Sequence, residues 1–585
     1  MNLKHYSFIL IVLLLASCAN RGIGPQGGPR DSIPPVPLKS DPEIGALEWK
    51  GKRIEVTFDE YIQLNNVASN MLMSPPQQNP PDVKARGKRL IVQFQDSLRD
   101  STTYTIDFGD AVCDYREKVP LHGYSFYFST WSEIDTLETK GYVYDAENLN
   151  PLQGILVGIH SDLHDSAFVK SPFLRIAKTD SLGFFRIGNI HAGTYRLYAL
   201  DDISRDYRLT IGETMAYSDS LVSVYPVVRD TTDTLPAPEG LLSTLFLFKA
   251  QQQKLYLQRT LRDERHKITL LFSSSPDSLP ELHPLQDSLN YHIHYSAKGD
   301  TTVIWLIDSA SIQVDSLFIE ARYRQTDSLN HLQWYTDTLR AIWRAPRLTS
   351  KAQEAQDRKS RNRRLELKSN ARKGFELFDT LQLTCTTPLQ HIELSAIELY
   401  EKVDTVHKAV PFTLAPYDTL PMTLRFIADL EAGKTYELHL DSAALYDVYG
   451  ITHVAANYAM QVKNLSDYST LRVQIKPFDP HARIQLLNNK DKVLRELPAT
   501  EDGALFEYLK PDTYYMRLYM DVNGDGKWTT GSWEEHRQPE TVYYFPEKVQ
   551  TKSNWDFEEV WDYTATPQMK AKPKELIKAS VTKKK

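Results

Sequence analysis

Cysteine is scarce in this chain: Cys18, Cys113 and Cys385 are the three in 585 residues. That excludes a disulfide-dense scaffold, and Cys113 and Cys385, in separate blocks of sequence, read as buried inert thiols. After the first 16 residues no apolar run is long enough to cross a bilayer, which excludes a polytopic membrane protein. Neither sign of charge dominates: 68 lysines and arginines against 75 acidic residues give a net charge of −7, so no nucleic-acid partner is expected. The chain contains no H-E-x-x-H, G-x-S-x-G, P-loop or C-x-x-C signature. Carboxylate pairs such as Asp59-Glu60 and Asp201-Asp202 are too common to indicate glycoside chemistry, which needs a set separation across a cleft. The expectation is a protein that is not an enzyme. What is plentiful is tyrosine and proline, 32 of each, with 11% aromatic residues, a composition of short strands and turns. At about 150 residues per domain the length implies roughly four domains or more.

The N-terminus gives an address. Lys4 and His5 precede an apolar stretch, Phe8 to Ala16, too short to span a membrane and suited to a signal-peptide core. It ends in Leu15-Ala16-Ser17-Cys18, which resembles the cleavage box of bacterial lipoproteins. The resemblance implies a signal peptide over 1–17 and lipidation of Cys18, with the membrane as partner through the N-terminal acyl chains. Each buried methylene would add about 0.8 kcal/mol to that anchorage. Residues 18–37 are too rich in glycine and proline to pack and read as a flexible tether. Gly22, Gly24 and Gly27 match G-x-G-x-x-G, but no strand precedes them and Pro25 interrupts, so dinucleotide binding is rejected. The segment resembles the leader of Ig-like lipoproteins from Bacteroidetes-type bacteria, which implies an outer-membrane location. No acidic cluster follows Cys18, which leaves the periplasmic and cell-surface faces both open.

From Gly51 onward the apolar pattern has period two. Ile54, Val56 and Phe58 alternate with polar residues, as do Leu90, Val92 and Phe94, then Tyr104, Ile106 and Phe108. Short alternating runs broken by Pro75-Pro76, Pro80-Pro81 and Gly109 are the pattern of half-buried strands in a sandwich. The phrase Leu98-x4-Thr103-Tyr104, followed by Ala111 and Asp114, resembles the SbsA-type bacterial Ig-like domain, over 38–132. It returns as Leu430-x4-Thr435-Tyr436, followed by Ala443, Asp447 and Gly450, so 375–464 reads as a second Ig-like domain. Another repeat runs Gly141-Tyr142-Val143, Pro151-Leu152-x-Gly154, Asp180-x2-Gly183-Phe184 and Gly193-Thr194-Tyr195. It resembles the prealbumin-like sandwich of carboxypeptidase regulatory domains and collagen-adhesin B repeats, here over 137–235. Leu471-Val473-Ile475, Asp502-Gly503 and Thr513-Tyr514 repeat the plan over 466–563. In the collagen-adhesin family a lysine can close an isopeptide bond; Lys140 is placed for it, but no matching terminal asparagine follows. Strand patterns over 236–346 suggest a third Ig-like sandwich. Residues 350–374, with nine basic against three acidic side chains, read as a linker or exposed helix, and 564–585 as a basic disordered tail. The fold class is therefore all-β, tandem Ig-like and prealbumin-like sandwiches after a signal peptide and tether.

One constellation could carry ligand chemistry: Asp521-Val522-Asn523-Gly524-Asp525-Gly526-Lys527-Trp528. Oxygen side chains at alternate positions with glycine at the sixth is how a loop curls around calcium. An EF-hand would need a glutamate at the twelfth place, where Ser532 stands, and Tyr514 to Met520 reads as a strand rather than a helix. The loop resembles those of dockerins and thrombospondin-type repeats, with Asp521, Asn523 and Asp525 as candidate metal ligands and calcium as the one cofactor suggested. The alternative is a tight turn whose carboxylates cap backbone amides. The first prealbumin-like unit has a counterpart: setting Asp202 on Asp521 puts Ser204 on Asn523 and Asp206 on Asp525, while Tyr207 replaces the pivotal glycine and Arg205 brings a cation. That copy is expected to hold no metal. His292 and His294 share a strand face without a nearby third ligand and read as plain surface residues. Trp528 and Trp533 are candidate contacts for a glycan or partner protein, with core packing as the competing use. The expected function is non-enzymatic: an outer-membrane lipoprotein presenting sandwich modules for structural or adhesive binding in the cell envelope. The alternatives are a glycan-binding accessory of a nutrient-uptake system and a cell-surface hydrolase with a site between domains.

Overall fold

Where apolar and polar residues alternate, the chain forms strands that bury one face, because successive side chains of an extended backbone point to opposite sides. The structure, a computed structural model, describes residues 31–210, 212–226, 242–249, 254–286, 289–327, 332–345, 363–417 and 419–578. The signal peptide, Cys18 and most of the tether lie outside the described residues, as do 346–362 and 579–585. The chain is all-β, with sheets throughout and, among the described residues, helices of no more than five residues. No helix among the described residues is long and apolar enough to cross a membrane. Contacts divide the chain into two units, with the main break at Phe248 and Lys249.

In the first unit, Pro37–Asp41, Arg53–Phe58, Arg89–Gln93 and Asp82–Arg86 form one sheet, and Leu72–Ser74, Thr103–Asp107 and Ser125–Ser129 another. Ile54, Val56, Phe58, Leu90, Ile106 and Phe128 pack together in the core of this sandwich. The recurring Thr-Tyr phrase has a physical purpose. The buried Tyr104 hydroxyl accepts the Arg99 amide at 2.7 Å, closing the turn that leads into its strand. Asp114 then ties the following turn by accepting the amides of Arg116 and Glu117.

The second sandwich is built on Leu137–Asp145, which pairs antiparallel with Phe184–Ile190 and parallel with Ser243–Lys249. The expected boundary at 235/236 is therefore wrong: Leu245 and Leu247 join Val143 in the core of the second sandwich rather than opening the third. Parallel neighbours need a long crossover, so no local pattern in the sequence marks the pairing.

The second unit begins with a four-stranded sheet (Leu257–Glu264, Lys267–Phe272, Thr301–Leu306, Tyr291–Tyr295) and a three-stranded one (Glu281–Pro284, Ser316–Thr326, Leu332–Ile342). A shared core of Ile268, Leu270, Ile304, Leu317 and Ile319 makes these a sandwich. The fourth sandwich repeats the first one's devices: the Tyr436 hydroxyl accepts the Glu431 amide at 2.9 Å, and Asp447 accepts the amides of Tyr449 and Ile451. It also starts earlier than expected. Leu367–Ser369 pairs with Leu381–Cys385, and Leu365 is buried in the core, so 363–374 is part of the domain and not a linker. The basic residues there are exposed while Leu365 is buried and Leu367 half-buried, which is why charge density misleads.

The fifth sandwich matches the second strand for strand. Ser469–Lys476, Ala482–Leu487, Val493–Pro498, Ala504–Leu509, Thr513–Met520, Val542–Tyr544, Val549–Gln550 and Asp556–Asp562 occupy the places of the eight strands from Leu137 to Lys249. In both, the first strand pairs antiparallel with the fourth and parallel with the eighth. The Tyr514 hydroxyl donates to the Lys510 carbonyl at 2.8 Å, as Tyr195 does to His191. The expected disordered tail is ordered to Lys578: Gln568–Ala571 is helical, and Lys572 pairs with Asp491 at 2.8 Å with both side chains 2% exposed. A lysine-rich composition hides a single lysine that is buried.

Candidate functional site

The loop between the fifth and sixth strands is where the two matched sandwiches differ in chemistry. In the second sandwich it runs from Asp201 to Glu213, and in the fifth from Asp521 to Thr541. Both copies fold alike. Gly524 and Gly526 hold φ of 71° and 73°, and their counterparts Arg205 and Tyr207 hold 61° each, although neither is a glycine. In each copy the first aspartate accepts the amide five residues on: Gly526 to Asp521 at 2.9 Å, Tyr207 to Asp202 at 3.2 Å.

A glutamate not singled out by sequence closes both loops. Glu213 accepts the amides of Ile203 and Ser204 on one oxygen and that of Thr210 on the other. Glu540 accepts Val522 at 3.0 Å on one oxygen and Thr529 at 2.8 Å on the other. The residues served are equivalent, and both glutamates are buried just before the sixth strand. The excursion 532–539 delays Glu540 in the fifth sandwich, so counting twelve places from Asp521 meets Ser532 instead. Burial holds the Glu540 carboxyl above its usual range, against the amide bonds from Thr529 and Val522, and nearby Asp521 raises it further.

The copies part at the first aspartate's second oxygen. Asp202 Oδ1 is saturated, taking the Arg205 amide at 2.7 Å and the Ser204 hydroxyl at 3.2 Å. Asp206 is paired with the Arg208 guanidinium at 2.8 Å. In the fifth sandwich Asp521 is 6% exposed and its Oδ1 has no hydrogen-bond partner. Asn523 Oδ1 accepts the Asp525 amide, and Asp525 accepts the Lys527 amide at 2.8 Å and the Thr529 hydroxyl at 3.2 Å. The expected ligands Asp521, Asn523 and Asp525 thus lie on one loop, which Glu540 ties through Val522 and Thr529, without their oxygens converging into one cluster.

Trp528 belongs to the same arrangement. It is half-buried and its indole N–H donates to the Glu540 carbonyl at 2.9 Å, so the ring braces the loop. Trp533 is half-buried edge-on to His536. The indole that stands out to solvent in this sandwich is Trp555, 58% exposed and stacked with Phe557.

A second cluster escaped sequence reading. His407, Glu437 and His439 come from two strands of the fourth sandwich, and their donor atoms lie within 4.8 Å of one another. Glu437 Oε2 meets His439 Nε2 at 3.1 Å and His407 Nε2 at 3.4 Å, while Lys402 takes Oε1 at 2.9 Å. Hydrogen bonds from Lys402 and then His439 hold the Glu437 carboxyl down at about 2. Two imidazoles and a carboxylate are zinc-type donors, but the ammonium already neutralises this carboxylate. The spacing in sequence gives no hint, because His407 reaches the pair across Ile397–Val403. His292 and His294 lie half-buried on Tyr291–Tyr295, opposite Trp305 and Val303, and among the described residues they are not part of such a group. Cys113 and Cys385 are buried free thiols, and burial pushes both up, Cys385 to about 12. In the first unit a cavity of about 750 Å³ carries Asp107, Glu138 and Arg186, with Glu138 ion-paired to Arg186.

Residues 31–130 match the family model of the bacterial Ig-like domain, which covers the first sandwich. A search of curated proteins gives no match. Among solved structures, the N-terminal part of the bacterial S-layer protein SbsC is 11% identical with a TM-score of 0.16, over 33% of this chain and 46% of that one. The major pilin subunit of Bacillus cereus is 9% identical with a TM-score of 0.12, over 73% and 98%. Native alpha-2-macroglobulin from Escherichia coli, spanning domains MG0-NIE-MG1, is 12% identical with a TM-score of 0.16, over 52% and 98%. Residues 31–130 are thus similar to the bacterial Ig-like domain, within a chain built of β-sandwiches.

Proposed function

We propose that the chain is a lipid-anchored, non-enzymatic protein of the outer membrane whose tandem sandwiches serve structural or adhesive binding in the cell envelope. The observation that carries the reading is the order of parts along the chain: an apolar leader ending at Cys18, a glycine- and proline-rich tether, then an Ig-like domain followed by four more sandwiches. Modules of this kind present rigid edges and loops to a partner, and charged groups such as Glu376 with Lys463 and Lys510 serve as internal ties. Partner binding, to protein or glycan, is then a matter of surface rather than of turnover. Labelling cells with radioactive palmitate compares the wild-type chain with Cys18→Ala. Label in the wild type alone, together with release of the variant from the membrane fraction, is the expected result. Equal label in both overturns the anchor.

A further inference from the structure

We propose that the fifth sandwich binds one calcium ion in the loop from Asp521 to Lys527, with Glu540 as the ligand that closes the site. The proposal stands on the loop alone and is independent of the envelope role.

Two observations carry it. The first is the donor set: Asp521, Asn523 and Asp525 at alternate positions, the Lys527 carbonyl at the seventh, and the buried Glu540 carboxylate. The Glu540 oxygens accept the amides of Val522 and Thr529, one on each, and two carboxylate oxygens have about four acceptor sites in all. Together these supply the six or so hard oxygens that calcium takes. The second observation is the unpartnered Oδ1 of Asp521, on a side chain more than nine-tenths buried. A buried carboxylate oxygen without a donor costs roughly 1–3 kcal/mol or more, and a divalent cation removes that cost. The comparison within the chain sharpens this. Where Ser204 and Arg205 satisfy the same oxygen in the second sandwich, the loop closes by itself; in the fifth no donor takes their place.

The oxygens stand apart, spaced by amide and hydroxyl donors such as Thr529, so the ion has to draw them in. Glu540 is then ligand and hinge together: it already holds Val522 and Thr529, and it ends the excursion 532–539.

The test is calorimetric titration of calcium into the full, chelator-stripped chain, with terbium luminescence excited through Trp528 as a second readout. One ion per chain is expected. Asp521→Asn and Glu540→Gln should each weaken binding at least tenfold, and Asp202→Asn should leave affinity and stoichiometry unchanged. Asp525→Asn, at an exposed position, should weaken binding without altering the melting temperature in chelator, which keeps the test open if a buried variant fails to fold. No binding heat at about 10 mM calcium, beyond the range of weak extracellular sites, overturns the site. Wild-type binding by Glu540→Gln overturns the closing role, and loss of binding in Asp202→Asn places the ion elsewhere.

Discussion

The Tyr468 hydroxyl donates to the Glu376 carboxylate at 2.7 Å, and both residues are buried where the fourth sandwich meets the fifth. Lys463 and Lys510 reach the other oxygen at 3.0 and 2.6 Å, so one carboxylate gathers two ammonium groups and a phenol from both sides of the junction. Phe378, Tyr468 and Tyr508 pack around it. The arrangement makes this junction a packed joint rather than a flexible link.

Acidification should loosen that joint. Burial pushes the Glu376 carboxyl up, but the bonds from Lys510, Tyr468 and Lys463 outweigh it and hold it at about 2, below an ordinary 4.5. A folded value below the unfolded one stabilises the fold above the unfolded value, and that contribution is lost as pH falls from about 4.5 towards 2. It amounts to roughly 2–3 kcal/mol. Urea unfolding at pH 7 and pH 3 should show the loss in the wild type and a flatter response in Glu376→Gln.

His160 should work in the opposite chemical sense with the same direction in pH. It is 4% exposed between Phe173 and Tyr198, and burial lowers its imidazole to about 4. Between 6.5 and about 4 the unfolded chain takes up a proton that the folded chain refuses, so stability falls as pH drops through that window. Thermal melts of His160→Phe should be flatter across it, by up to about 2–3 kcal/mol.

Truncation after Tyr563 should destabilise the fifth sandwich rather than leave it unchanged. Asp491 takes the Lys572 ammonium at 2.8 Å and the Tyr544 hydroxyl at 2.9 Å, so losing the lysine strands a buried carboxylate. Lys572→Met should cost about 3–5 kcal/mol, measured by chemical denaturation with near-ultraviolet circular dichroism reporting the tyrosines.

Tyr104→Phe and Tyr436→Phe should each cost about 1–3 kcal/mol in urea unfolding, because each leaves a backbone amide, of Arg99 or Glu431, without its acceptor. Equal penalties in the two sandwiches would show that the recurring phrase marks one device used twice.

Much of the architecture is legible along the chain because its signals are local. Alternation, the Thr-Tyr phrase and the Asp-Gly turns each act within a few residues, so the strands, the sandwich class and the two repeat types follow from Ile54-Val56-Phe58, Tyr104, Tyr436 and Asp180-Gly183. The alternating oxygen side chains of Asp521, Asn523 and Asp525 are legible for the same reason. What the tertiary structure decided is everything that depends on distance along the chain. Ser243–Lys249 joins Leu137–Asp145 across a long crossover, Glu540 reaches back past an excursion, and His407 meets Glu437 across a neighbouring strand. Lys572 is buried in a segment whose composition reads as solvated. Local propensity acts through the backbone of adjacent residues, whereas burial and partnership exist only after distant strands have packed, and there a single carboxylate or ammonium is placed by neighbours the sequence does not put beside it.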